Sequence, residues 1–94
     1  MPILITENGL ADECDTNREW WLMQTVLAMQ KALDKGVNLL GYIHWSLMDN
    51  FELDKGFWPR YGLFAVDYKT QQRTPRKSAV RLARLLKRIR EESR

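Results

Sequence analysis

Residues 3–9 read Ile-Leu-Ile-Thr-Glu-Asn-Gly, a short apolar run that stops at a carboxylate, an amide and a glycine. Because the run is apolar and β-branched at Ile3 and Ile5, residues 3–6 are predicted to form a short buried strand. In a barrel of parallel strands, Glu7 would follow a C-terminal strand end, which is where such enzymes place their chemistry. Two interpretations of Glu7 are open at this point: a nucleophile at a strand end, or an ordinary loop residue.

A polar loop over residues 7–16 leads into the first predicted helix. Thr16 and Glu19 fit a capping box, with Thr16 as the N-cap and Glu19 at the third helical position. The helix is expected to continue to about Lys35, because Gly36 can adopt the left-handed conformation that ends a helix. Apolar residues recur along it at helical spacing and predict one buried face: Leu22, Val26, Met29 and Leu33.

The second predicted strand lies within residues 37–47, VNLLGYIHWSL, which are nearly all apolar or aromatic. Such a run is typical of a strand that is covered on both faces. A long loop over residues 49–62 follows, then a two-stranded excursion that turns near residues 69–72, and a final helix from about Arg76 to Glu92. One face of this helix is apolar and is formed by Ala79, Leu82, Ala83, Leu86 and Ile89.

The order of these elements is strand, helix, strand, loop and helix, which makes two successive βα units. This order predicts an α/β fold with a parallel sheet or part of a barrel. A chain of 94 residues forms one domain at most. Two parallel strands alone make a poor domain, because both faces and both edges need cover. The sequence therefore indicates a piece of a larger architecture.

The charge of the chain is uneven. The net charge is +3, and residues 73–94 contain nine Lys or Arg residues against two Glu. A basic helix can bind nucleic acid or an anionic membrane. The apolar residues between these charges instead favour the solvated outer face of a packed helix, so neither nucleic acid nor a membrane is expected as a partner.

Two further observations concern the compartment. Cys14 is the single cysteine, so no internal disulfide is possible and a reducing compartment is favoured. The first residues, MPILITENG, lack the basic and long apolar regions of a signal peptide, and no apolar run approaches the roughly 20 residues that span a membrane. A cytoplasmic location is therefore predicted.

Polar and aromatic residues also follow the second strand. Trp45 ends it, and Asp49, Asn50 and Glu52 come within seven residues. Both loops leave C-terminal strand ends, so Glu7 and this group are expected on one face. Carboxylates accept hydrogen bonds from hydroxyl groups, and an indole stacks on the apolar face of a pyranose, so the set suits carbohydrate. The alternative is that Trp45 belongs to the core and that Asp49 and Asn50 only shape a turn.

Four blocks of sequence carry a more specific signal. ITENG at residues 5–9, YIHWSLMDNFE at 42–52, GFWPRYGLFAVDY at 56–68 and RTPRKSA at 73–79 occur in this order. Together they resemble the C-terminal region of family 1 glycoside hydrolases, the β-glucosidase and β-galactosidase type. The resemblance covers essentially the whole chain. It implies that residues 1–94 are the C-terminal part of a (β/α)8 TIM barrel, namely its seventh and eighth βα units.

The resemblance also implies roles for single residues in a retaining β-glycosidase. Glu7 matches the catalytic nucleophile, and Trp45 matches the tryptophan under the glycone sugar. Glu52 matches the glutamate that binds the outer hydroxyls of the glycone, and Tyr61 matches an aromatic residue of the same pocket. Asn50, beside Glu52, is a further candidate for substrate binding. The substrate is expected to be a β-glycoside, and neither a cofactor nor a metal is expected.

The chain departs from the family pattern in two ways. The acid/base of the family is the Glu of an NEP motif, which does not occur here, so the isolated chain is expected to be inactive. Leu53 stands where the family usually has a tryptophan that donates to a sugar hydroxyl. The expected partner is a chain carrying the rest of the barrel, or a second copy of this one. The alternative is a non-catalytic barrel fragment that self-associates or complements a partner chain.

Phosphorylated sugars are not expected as substrates. Relatives specific for 6-phosphorylated glycones tend to carry Ser at the position of Glu52 and Lys at the position of Pro59. The carboxylate of Glu52 would repel a phosphate. Neutral β-glucosides, β-galactosides or β-fucosides are therefore the predicted substrate class.

Overall fold

The computed structural model describes residues 1–92 and contains two small sheets and two long helices. The order of elements agrees with the order predicted from the sequence. The elements are β1 (Ile3–Ile5), α1 (Arg18–Asp34), β2 (Leu39–Tyr42), β3 (Phe64–Val66), β4 (Arg73–Pro75) and α2 (Lys77–Glu92).

The first sheet is a βαβ unit in which α1 connects two parallel strands. Ile3 lies opposite Leu39 and Ile5 lies opposite Tyr42, with one irregularity in register between them. The pairing continues past β2, since the N–H of Ile43 donates to the carbonyl of Ile5 at 2.9 Å. The C-terminal ends of β1 and β2 therefore meet at one edge of the sheet.

The second sheet is the two-stranded excursion that the sequence predicts. β3 and β4 are antiparallel, with Ala65 opposite Thr74. Asp67 forms the turn: its carbonyl accepts from the N–H of Gln71 at 2.7 Å, and its carboxylate accepts from the N–H of Lys69 at 2.9 Å. These local bonds explain why a Pro-free, polar stretch reverses direction at this point.

The predicted capping box at the start of α1 is wrong. Asn17, not Thr16, occupies the N-cap position, and its side chain makes no capping hydrogen bond. The carboxylate of Asp12 accepts instead from the N–H groups of Asn17 at 2.7 Å and Arg18 at 3.0 Å. A carboxylate satisfies these free donors more strongly than a hydroxyl, and its charge suits a helix N-terminus. The C-terminal prediction holds, because Gly36 has φ of +89°.

A buried polar cluster ties the start of α1 to the start of α2. Arg18 is fully buried and donates to Asp15 and to the carbonyl of Arg60 at 2.7 Å. Asp15 also accepts from the N–H of Ser78 at 2.9 Å and from its hydroxyl at 2.7 Å. Burial alone would raise the pKa of Asp15, but the bonds from Ser78 and Arg18 hold it below its ordinary value.

The expectation that the second strand is covered on both faces is wrong for this chain. Leu40 is 65% exposed and Ile43 is 54% exposed, because α1 is the main element of residues 1–92 that packs on the two-stranded sheet. The helix faces are likewise buried only in part. On α1 Leu22 is buried while Leu33 is exposed, and on α2 the exposed positions include Leu86.

One carboxylate organises the long loop after β2. Asp49 is buried and accepts from both Arg60, at 3.1 Å, and Arg76, at 2.9 and 3.1 Å. It also accepts from the N–H groups of Gly62 at 2.9 Å and Val66 at 3.2 Å. Burial would raise the pKa of Asp49, but these donors hold it below its ordinary value. Asp49 therefore does more than shape a turn, because it connects the loop to the start of α2.

Replacing Asp49 is expected to destabilise the fold far more than replacing an exposed aspartate. Asp49→Ala leaves two guanidinium groups and two N–H groups without their acceptor, which costs about 3–5 kcal/mol for a buried pair. Asp54→Ala is the matched control, because Asp54 is exposed. Urea unfolding followed by circular dichroism measures both variants. Equal unfolding midpoints for the two would contradict this role of Asp49.

Candidate active site

The ends of β1 and β2 open into a cleft of about 530 Å³. Four of the predicted site residues lie in its wall: Glu7, Trp45, Glu52 and Tyr61. Asn50, the fifth, lies outside the wall and next to Glu52. The remaining wall residues are Asn8, Gly9, Phe51, Leu53, Asp54 and Lys55.

The backbone next to Glu7 is fixed against the end of β2. The N–H of Trp45 donates to the carbonyl of Asn8 at 2.9 Å. A Cβ on Gly9 would lie 1.8 Å from the carbonyl oxygen of Trp45, so only glycine permits this approach. The backbone of the Glu7 loop therefore cannot move relative to Trp45 without breaking this contact.

The Asn8 side chain holds the Glu7 loop to α1 and β2. Its Oδ1 accepts from the indole N–H of Trp21 at 3.2 Å and from the hydroxyl of Tyr42 at 3.1 Å, and lies 3.5 Å from the hydroxyl of Thr25. These donors come from α1 and β2. Sequence reasoning missed this function of Asn8. The only signal for it was the adjacency of Asn8 to Glu7.

Trp45 and Glu52 are joined directly across the cleft wall. The indole N–H of Trp45 donates to Oε1 of Glu52 at 3.0 Å. The peptide bond between Trp45 and Ser46 is cis. A tight turn then holds Glu52, because its N–H donates to the carbonyl of Gly56 at 2.8 Å and its carbonyl accepts from the N–H of Gly56 at 2.8 Å. Gly56 has φ of +77°, which favours glycine there.

Leu53 lies in the cleft wall, whereas the nearby Trp58 does not. Leu53 lies in the wall and is 93% exposed, so its side chain presents an apolar surface at the opening. Trp58 is 71% exposed and is not part of the wall. The tryptophan that the family pattern places at position 53 is therefore not replaced in this cleft by Trp58.

The wall carries more charge than the sequence suggested. Glu7, Glu52 and Asp54 contribute three carboxylates, and Lys55 contributes one ammonium group. Sequence reasoning passed over both Asp54 and Lys55, which lie in the turn after Glu52. The cleft therefore has an acidic balance of two charges, which suits donors such as sugar hydroxyls better than anions.

Behind the cleft, Tyr42 and His44 form a partly buried pair. The Tyr42 hydroxyl lies 2.9 Å from Nδ1 of His44, and Nε2 of His44 is buried with no partner in residues 1–92. Burial raises the pKa of Tyr42 to about 12. Burial, together with the charge of Arg18, lowers the pKa of His44 to about 4. His44 is therefore neutral at neutral pH.

Neither a metal cluster nor a membrane-spanning helix is found within residues 1–92. Across residues 1–92, no group of three or more His, Cys, Asp or Glu side chains is arranged to hold a metal ion. Within the same residues, neither helix has the length and the apolar character that crossing a membrane requires.

Two parallel strands joined by a helix, with a cleft at their C-terminal ends, are the arrangement of a βα segment of a parallel barrel. The family model of glycosyl hydrolase family 1 matches residues 1–90, and this chain belongs to that family. The β-galactosidase of Sulfolobus acidocaldarius is 42% identical over 85% of this chain and 16% of its own length. A 6-phospho-β-galactosidase of Streptococcus equi subsp. zooepidemicus is 45% identical over 82% of this chain and 18% of its own.

A solved structure supports the same relationship. The hyperthermophilic β-glucosidase from Pyrococcus furiosus matches with a TM-score of 0.83 and 44% identity, over 85% of this chain and 17% of that one. This chain thus spans about a sixth of the length of these relatives. Its small sheets and helices are a segment of the TIM barrel that the family forms.

Because His44 is neutral in the folded chain, the free energy of unfolding is expected to decrease as the pH is lowered. The histidine pKa is 6.5 in the unfolded chain and about 4 in the folded one, so only the unfolded chain gains a proton between these values. The contribution of neutral His44 to the free energy of unfolding is therefore complete above pH 6.5 and decreases as the pH drops toward 4. His44→Asn should abolish this slope, measured by urea unfolding at pH 7, 5.5 and 4.5.

The carboxylates give a separate step when the same unfolding measurement is extended to pH 3. Asp15 and Asp49 have lowered pKa values, so their contribution is lost only below the ordinary carboxyl range near 3.8. The His44→Asn variant should retain that acid step. A variant whose stability falls as steeply between pH 6.5 and 4 as the unmodified chain would show that His44 is not the group responsible.

Proposed function

We propose that this chain is the part of a retaining β-glycosidase that supplies the nucleophile and part of the glycone pocket. The observation that carries the proposal is the single cleft shared by Glu7, Trp45 and Glu52 at the ends of two parallel strands. Residues 1–94 would form the seventh and eighth βα units of the barrel. The whole reaction then depends on elements that this chain does not contain.

The position of Glu7 supports its role as the nucleophile. It follows a strand end whose backbone is fixed by the contact of Asn8 and Gly9 with Trp45. In the proposed reaction, an ionised Glu7 oxygen attacks the anomeric carbon and the aglycone oxygen leaves with a proton from a second carboxyl group. Water then cleaves the glycosyl ester and restores Glu7, with net retention of the β configuration.

The second carboxyl group would come from outside this chain. Retaining hydrolysis needs two carboxyl groups roughly 5–5.5 Å apart. Glu52, the other cleft glutamate, accepts a hydrogen bond from Trp45 and suits binding of the glycone instead. Trp45 and Tyr61 would contact the apolar faces of the sugar, and Asn50 would act through Glu52. This division of roles needs neither a metal nor an organic cofactor. The cytoplasm remains the predicted compartment, with Cys14 free and exposed.

A barrel chimaera tests the role of Glu7. In it, this chain replaces the matching segment of the Pyrococcus furiosus β-glucosidase, which supplies the other βα units. We expect the chimaera to hydrolyse a nitrophenyl β-glycoside and the isolated chain to give none above background, because acid–base assistance alone contributes about 10²–10⁴ in rate. Glu7→Ala in the chimaera should abolish turnover, and azide should restore release of nitrophenol.

Glu13→Ala is the matched control, since Glu13 is exposed and lies outside the cleft wall. It should leave turnover unchanged. Turnover by the purified chain alone, or a Glu7→Ala chimaera as active as the unmodified one, would remove Glu7 from this role.

The glycone is expected to be neutral at its 6-position. The cleft wall holds three carboxylates and one ammonium group, so a dianionic phosphate would meet net repulsion. Overall similarity does not decide this point, because the relatives include a 6-phospho-β-galactosidase at 45% identity. Hydrolysis of nitrophenyl β-glucoside by the chimaera is expected to exceed that of its 6-phosphate at equal concentration. A preference for the phosphate would contradict the proposed substrate class.

A second candidate function is that of a non-catalytic fragment that associates with itself or complements a partner. It is favoured by the exposed apolar surface on both strands of the first sheet and on both helices, which includes Leu4, Leu40, Leu33 and Leu86. We expect the purified chain to sediment as a concentration-dependent oligomer and to bind a hydrophobic dye. A compact monomer at all concentrations, without dye binding, would contradict self-association.

A further inference from the structure

Asn50 was predicted to bind substrate, but its side chain is directed at Glu52 and not into the cleft. With its amide turned so that the nitrogen faces the surrounding acceptors, Nδ2 donates to the carbonyl of Phe51 at 3.2 Å and to Oε2 of Glu52 at 2.5 Å. Asn50 is absent from the cleft wall, whereas Glu52 is part of it. The amide therefore lies behind the carboxylate as seen from the cleft.

Both oxygens of Glu52 are held as a result. Trp45 donates to Oε1 at 3.0 Å, and Asn50 donates to Oε2 from the other side. Hydrogen bonds to an ionised carboxylate are stronger than those between neutral groups. Two such bonds from different directions fix the plane of the carboxylate. Each oxygen keeps a further lone pair for a hydroxyl of the sugar.

Asn50 is itself anchored to the rigid part of the loop. It directly follows Asp49, the buried acceptor of the Arg60 and Arg76 guanidinium groups. The hydroxyl of Tyr68 lies 3.5 Å from the carbonyl of Asn50, and the Tyr68 ring lies 4.1 Å under the Arg60 guanidinium. The amide that holds Glu52 is therefore connected to the same network that fixes the hairpin.

We propose that Asn50 is a positioning residue, which sets the orientation of Glu52 and makes no contact with the sugar. The expected effect of Asn50 on catalysis rests on the proposed function. The hydrogen bond from Asn50 that orients Glu52 does not depend on it. A direct binding role for Asn50 and a positioning role predict different results when Asn50 and Glu52 are changed together.

A double-mutant cycle in the barrel chimaera separates the two roles. Asn50→Ala is expected to lower kcat/KM for nitrophenyl β-glucoside about 10-fold, the effect of losing a hydrogen bond to a charged group. In a Glu52→Ala background the same change should lower kcat/KM by less than about 2-fold, because no carboxylate remains to be positioned. A residue that contacts the sugar itself would instead lose about 10-fold in both backgrounds.

A second variant tests whether the effect of Asn50→Ala comes only from the loss of side-chain volume. Asn50→Asp keeps the shape of the side chain but turns a carboxylate oxygen toward Oε2 of Glu52. Because like charges at this separation repel, Asn50→Asp is expected to lower kcat/KM more than Asn50→Ala does. If Asn50→Asp is as active as the unmodified chimaera, the proposal is overturned.

The geometric part is tested on the 94-residue chain without any activity. With ¹⁵N-labelled indoles, the Trp45 signal is identified by its loss in Trp45→Phe. Since Trp45 donates to the carboxylate that Asn50 holds, Asn50→Ala should shift this signal in the direction of its position in Glu52→Ala. Asn38→Ala is the matched control at the exposed start of β2 and should leave the signal in place.

The outcomes distinguish this inference from the proposed function. A shifted Trp45 signal with a non-additive cycle supports Asn50 as a positioning residue. An unmoved Trp45 signal in Asn50→Ala, or equal losses in both backgrounds, overturns it. An inactive unmodified chimaera contradicts the proposed function, and the Trp45 signal alone then decides the role of Asn50.

Discussion

The buried carboxylate of Asp49 is the interaction on which the rest of the structure depends. It accepts hydrogen bonds from Arg60 in the loop, from Arg76 just before α2 and from two N–H groups at the hairpin. A small chain with few buried apolar side chains has little hydrophobic stabilisation to hold a long loop. Charge-assisted bonds to one central acceptor replace it. The orientation of the residues just before and just after Asp49 follows from that anchor.

Two contacts of this kind determine the geometry of the cleft. The close approach of Gly9 to Trp45 fixes the end of β1 against the end of β2, and the Asp49 network fixes the loop that carries Glu52. Glu7 and Glu52 thereby line one cleft together with Trp45. A site built from backbone contacts between strand ends is less mobile than one built on a free loop, which suits a covalent step at Glu7.

The sequence predicted the order and type of the elements because helical and strand periodicity are local properties. It also predicted four residues of the cleft wall, because the family blocks carry them, but it passed over Asp54 and Lys55, and the predicted Asn50 lies outside the wall. The N-cap of α1 was missed because Asp12, five residues upstream, displaces the local candidate Thr16. The role of Asp49 was missed for a similar reason: its partners lie 11 to 27 residues away, and no local pattern reports them. The exposure of Leu40 depends on which neighbouring strands are present, which local periodicity does not encode.

The central claim is that Glu7 forms the covalent bond to the sugar, and trapping that bond tests it most directly. A 2-deoxy-2-fluoro-β-glucoside with a dinitrophenyl leaving group slows both steps of a retaining reaction, and its activated leaving group lets the ester accumulate. Peptide mass mapping of the treated barrel chimaera then identifies the modified residue. The account predicts one sugar adduct, on Glu7, in the peptide that contains residues 3–9. An adduct on Glu52 or on another carboxylate, or turnover of an active chimaera without any adduct, would contradict it.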